Sequence, residues 1–197
     1  MKIFISVLIL FFITFCAPGP KVTRVSTEQT IDLSGDWNDT DSRLVSEEMI
    51  KDCLSRPWLQ EFISKTDKKP RVIVGNVKNR SHEHINTSTF VADLEREVTN
   101  SGRVVFVASS EQREEIRQER MEQAEYASPE TVKAIGREYG ADYMLKGQIN
   151  SILDEAKGTK VKYYQIELEL INIETNEKVW IGQKKIKKVV ERSPATW

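Results

Sequence analysis

Between residues 160 and 173 the chain alternates with period two. Ile166, Leu168 and Leu170 lie on one side, and Gln165, Glu167 and Glu169 on the other. Strict alternation is the mark of a half-buried β-strand. Apolar β-branched runs flank it at 142–153 and 178–190, joined through the short turn-rich stretches "DEAKGT" and "ETNE". Such spacing predicts an antiparallel three-stranded meander at the C-terminal end. Earlier in the chain the period switches between two and 3.6. A short strand is predicted over 31–37, where Ile31, Leu33 and Gly35 alternate with polar residues. A helix is predicted from Asp39 to Leu54, capped by Thr40 or Asp41, with Pro57 ending it. Residues 58–65 continue as a short helix with Trp58, Leu59 and Phe62 on one side. "RVIVGNV" (71–77) is a β-branched run and predicts a central strand. Residues 86–102 predict a helix with the stripe Phe90, Val91, Leu94 and Val98 and with Gly102 past its end. "RVVFVAS" (103–109) predicts a second buried strand. Ser109 and Gln112 then form a capping-box pattern opening a helix that is almost entirely charged. Ser128-Pro129-Glu130 opens one more helix, with the stripe Val132, Ile135 and Tyr139 and with Gly140 closing it. The expected fold class is therefore α/β, a mixed sheet with helices packed on it and a C-terminal antiparallel meander.

The first 30 residues follow a different pattern. Met1-Lys2 is a short basic start, and residues 3–15 are apolar except at Ser6 and Thr14. Thirteen residues are too few for a bilayer crossing, which takes about 20. The length fits the apolar region of an export signal. Ordinary cleavage wants small residues at −3 and −1, and Phe15 is not small. Read as a lipoprotein signal, the stretch ends on Cys16, whose thiol becomes the lipidation site; Phe15 departs from the usual small residue there. Two or more acyl chains give stable attachment, where one is marginal. Residues 17–30 lack apolar periodicity and read as a tether with a reach of about 48 Å. The expected organisation is a signal peptide over 1–15, a lipidated Cys and tether over 16–30, and one α/β domain over 31–197. The second cysteine, Cys53, falls on the apolar spacing of its helix and reads as a buried, unreactive thiol.

Charge narrows the function classes. Lys and Arg total 29 against 30 Asp and Glu, for a net charge of −1. Nothing global draws the chain to nucleic acid. The run "KKIKKVV" at 184–190 reads as a solvated strand face. No nucleophile elbow, phosphate-cradling loop or zinc-protease motif is present, so neither a catalytic residue nor a cofactor is expected. The two histidines, His82 and His84, flank Glu83 in "NRSHEHIN"; a tight metal site needs three or four ligands, so a solvated loop is the better reading. The segment 75–86 joins a buried strand to a helix and carries many polar groups. Asn79, Arg80, His82 and His84 are its candidate partner-binding residues.

Four stretches together, 32–50, 71–90, 101–120 and 139–149, resemble the LpoB family of outer-membrane lipoproteins, activators of penicillin-binding proteins. The amino-terminal domain of TolB and the curli-secretion lipoprotein CsgG are relatives of that family. The resemblance implies an α/β domain without active site or cofactor, anchored through Cys16 in the outer membrane and facing the periplasm. It implies a class A penicillin-binding protein as partner, with peptidoglycan synthesis stimulated by contact. The short tether is a departure from family members that cross the periplasm on a long one. Two other readings compete: a structural or secretion-assembly lipoprotein of the CsgG type, and a metal- or ligand-binding periplasmic protein using His82 and His84.

Overall fold

The computed structural model describes residues 22–27, 29–128, 130, 138–156 and 158–191. In chain order these form α1 (Asp39–Ser55), α2 (Pro57–Thr66), β1 (Arg71–Arg80), α3 (Thr87–Asn100), β2 (Val105–Phe106), α4 (Ser110–Tyr126), β3 (Tyr143–Ala156), β4 (Thr159–Asn172) and β5 (Lys178–Glu191). The five strands make one sheet in the order β2-β1-β3-β4-β5. β1 runs parallel to β2 and β3, and β3, β4 and β5 are antiparallel, so the sheet is mixed and ends in the expected meander.

The alternation in β4 sets the register of the whole sheet. Ile166 faces Ile149 on β3, and Leu170 lies between Leu145 of β3 and Trp180 of β5. Tyr164, Ile166 and Leu168 are fully buried. Helices α1 and α3 cover this face with Val45, Met49, Ile50, Phe90, Leu94 and Val98, and α2 adds Trp58 and Leu59. Apolar burial of this kind is the main favourable term in folding. Cys53 belongs to the same core, and burial pushes its thiol up to about 12, with the neighbouring Asp52 charge adding to the shift. α4 has no buried residue, in keeping with its charged sequence, and its capping box closes as expected: Ser109 Oγ accepts from Gln112 N–H, and Gln112 Oε1 accepts from Ser109 N–H.

Three local readings change. Residues 31–37 form bends instead of a strand. Gly35 sits at φ 69°, outside strand geometry, and Leu33 is 92% exposed, so its apolar side chain packs on nothing. The α1 cap is Asn38: its side chain accepts from Asp41 N–H at 3.1 Å, while Asp41 Oδ2 accepts from Asn38 N–H at 3.0 Å. Asp41 therefore closes a capping box from inside the helix. The strand expected over 103–109 contracts to Val105–Phe106 at the sheet edge, where Val105 is half exposed and Val104 meets the core from outside the ladder. The helix expected after Ser128 falls largely on residues 129 and 131–137, outside the described residues; Tyr139, beyond them, is exposed with the Arg71 guanidinium 4.3 Å over its ring.

Candidate functional site

The segment 75–86, expected to be a connection after a strand over 71–77, is part of β1 as far as Arg80, so Asn79 and Arg80 lie on the strand and residues 81–86 form the loop. A register irregularity between Val74 and Val77 resets β1, after which Asn79 pairs with Ile149 and Arg80 with Asn150. Asn79, Arg80, His82 and His84 are all exposed. Their roles differ. Asn79 folds the loop on itself: its amide donates to Glu83 O at 2.8 Å and its Oδ1 accepts from Ser81 N–H at 2.9 Å, the Asx-turn chemistry of short polar side chains. His82 is fastened to β3, its N–H donating to Ser151 Oγ at 2.9 Å and its Nδ1 lying 2.9 Å from the same oxygen. Arg80 and His84 are the members that present their side chains outward without such ties to the loop.

Glu83, between the two histidines, turns inward. Its Oε1 accepts from the Tyr164 hydroxyl at 2.6 Å and from Lys162 Nζ at 2.8 Å, and its Oε2 accepts from Trp37 N–H at 3.0 Å. The acid that would complete a histidine–carboxylate metal set is thus committed to the interior. Lys162 also pairs with Asp36. Next to it, Lys188 donates to Asp32 at 2.7 Å, to Asp41 at 2.6 Å and to the Asp36 carbonyl at 3.1 Å. Trp37 stacks edge-on against Phe90 and Tyr164, with centroids 5.9 and 5.8 Å away. These contacts tie residues 32–41 and the loop to the far end of the sheet. Burial raises the Tyr164 phenol well above its ordinary value, and the Glu83 carboxylate raises it further. Burial pushes Lys162 down, with the charge of Lys188 adding to the effect. Burial also pulls at Lys188, but hydrogen bonds to Asp32 and Asp41 outweigh it and the ammonium is held above the usual range. This network ties the segment before α1 to the loop and to β4 and β5.

Sequence reading missed it, yet a signal was there. Lys162 and Lys188 occupy inward positions of β4 and β5, in register with each other, where the alternation calls for apolar residues. A lysine on the buried face requires carboxylates, and Asp36, Asp41 and Glu83 supply them.

Arg80, the last residue of β1, leads onto the other face of the meander. Arg80, Asn150, Gln165 and Lys185 form one cross-strand row there. The next row holds Ile152, Tyr163 and Lys187, and the one after it Asp154, Val161 and Val189. Ile152, Val189 and, further along β5, Ile181 are 64%, 58% and 64% exposed, so among the described residues this face is not covered. At its centre Glu167 accepts from Gln148 at 2.9 Å, from Gln165, and from Gln183 at 3.4 Å, and these bonds hold its carboxyl below the usual range. A sheet face that mixes exposed apolar side chains with Arg80, Lys185 and Lys187 suits contact with another macromolecule.

Among the described residues no helix is long and apolar enough to cross a membrane. None of the curated protein sequences matches the chain. Solved structures similar to it include three bacterial proteins. The LpoB C-terminal domain from Salmonella enterica is 18% identical and covers 67% of this chain and 94% of that one, with a TM-score of 0.36. The NMR structure of Escherichia coli LpoB is 17% identical over 90% and 87% of the two chains, with a TM-score of 0.41. Lipoprotein GNA1162 from Neisseria meningitidis is 15% identical over 64% and 88%, with a TM-score of 0.42. The family model of the peptidoglycan-synthase activator LpoB matches residues 41–186, from the first turn of α1 into β5, and the chain belongs to that family.

Proposed function

We propose that this chain is a lipid-anchored envelope protein that binds a class A penicillin-binding protein and stimulates its glycan polymerisation without catalysis of its own. The observation that carries the reading is the family match over 41–186, which takes in every described element of the fold except the first two residues of α1 and the last residues of β5. In this reading Cys16 carries the lipid in the outer membrane, residues 17–30 form the leash, and the domain from residue 31 faces the periplasm. The leash reaches about 48 Å at full extension. The synthase must therefore project toward the anchoring membrane to be met.

The open face of β3 to β5 is the proposed contact, with Arg80 at its edge; His82, held to Ser151 in the row of Tyr164, and His84 lie on the adjoining loop. Exposed apolar side chains beside cations support this choice, since recognition surfaces combine an apolar centre with a polar rim. The test is glycan polymerisation by a purified class A synthase with the detergent-solubilised full chain added. A rise in rate that saturates with added protein, together with acyl mass on Cys16 in the mature chain, is the expected result. An unchanged rate, or a mature terminus beyond Cys16, contradicts the reading.

A further inference from the structure

The last strand of the sheet leaves one edge unpaired. β5 runs for 14 residues, pairs with β4 alone, and among the described residues sends no backbone hydrogen bond to any other segment. A row of unpaired N–H and C=O groups is a template for strand addition. Beside this edge, α1 and β5 enclose a groove of about 510 Å³ lined by Met49, Asp52, Trp180 and Gly182. Trp180 builds its wall. The indole Nε1–H donates to Asp52 at 2.8 Å, and the ring fills the space a side chain at 182 would take, since a Cβ there would come within 2.1 Å of it. Gly182 is thus the residue that lets the ring lie along the strand.

Charge selects the occupant. Lys184 and Lys188 turn inward to Glu48 and to Asp32 and Asp41. Lys185 and Lys187 are exposed on the open face and form no ion pair among the described residues. Pairing β5 with a second copy of itself would set the run 184–188 against its own lysines, and like charges directly opposite destabilise a strand pair. An acidic strand turns the same lysines into partners.

We propose that the free edge of β5 receives an extended acidic segment of a partner protein by strand addition. Its carboxylates, two residues apart, face Lys185 and Lys187. An apolar side chain three residues from the first carboxylate, on the opposite face, enters the groove at Trp180 and Gly182. This binding mode does not rest on the synthase reading.

The test uses the full chain in detergent and two peptides of about eight residues, one alternating glutamate with valine and one alternating lysine with valine. Calorimetry and amide exchange by NMR are read at low and high salt. The glutamate peptide is expected to bind, to protect β5 amides from exchange and to weaken as salt rises; the lysine peptide is expected not to bind. Lys185→Glu/Lys187→Glu, a change confined to exposed side chains, is expected to weaken the glutamate peptide roughly tenfold and admit the lysine one. Far-ultraviolet dichroism of that variant matching the parent establishes that it is folded. No binding of the glutamate peptide, binding that leaves β5 unprotected, or a dimer whose second copy protects β5 each overturns the proposal. Synthase stimulation is a separate assay, so its failure leaves the peptide result standing.

Discussion

The two faces of β4 do different work within one strand. Tyr164, Ile166, Leu168 and Leu170 face the helices and are buried, whereas Tyr163, Gln165, Glu167 and Glu169 face outward and are only partly covered. The inner face carries the apolar packing and, at its far end, the Glu83 network. The outer face carries side chains whose removal exposes no core. Substitutions on the first face should appear as lost stability, and substitutions on the second as lost partner function.

The largest expected effect tests the inner face at its centre. Leu168→Ala removes a fully buried side chain and is expected to cost about 2–5 kcal/mol in denaturant unfolding. A cost under about 1 kcal/mol would mean that the register of β4 is not what holds the core. Glu83→Gln is expected to cost about 1–3 kcal/mol, because it removes one of the two carboxylates, Glu83 and Asp36, that pair the nearly buried Lys162. Adding Lys162→Met should recover much of that loss; strictly additive losses would show that the pair is not coupled.

Tyr164→Phe is expected to cost about 1–2 kcal/mol through the hydroxyl bonds to Glu83 and the Gly35 carbonyl. Its pH dependence follows from the raised phenol. A phenol whose folded value lies above the unfolded one stabilises the fold fully below about pH 10, and that contribution is lost as pH rises above it. The parent should therefore lose stability in that alkaline window more steeply than the Phe variant, as followed by the thermal midpoint. Equal slopes would remove Tyr164 from the network. The smallest stability effect belongs to the outer face: Arg80→Glu with Ile152→Asp is expected to stay within about 0.5 kcal/mol of the parent.

How much of this was legible in the sequence depended on whether the determinant was local. The meander was legible because residues 165–170 carry their register in their own alternation. The Ser109 capping box was legible because both partners lie within four residues. Residues 31–37 misled because alternation there is not matched by burial; the segment is held by the charges of Lys188 and Lys162 and by the Tyr164 ring against Trp37, all from across the fold. The β-branched run at 103–109 misled because a strand at a sheet edge need not extend to the end of its apolar residues. Arg80, His82 and His84 were legible as exposed, but the extension of β1 through Arg80 and the neighbourhood of Arg80 were not. Asn150, Gln165 and Lys185 reach its row only through the registers of three strand pairs.

The uncovered face of the meander is the proposed contact with the synthase. It is tested most directly by adding the full-length Arg80→Glu/Ile152→Asp chain to a purified class A penicillin-binding protein and measuring glycan polymerisation. Loss of stimulation, with an unfolding midpoint matching the parent, is the predicted result. Full stimulation by the folded variant would contradict it.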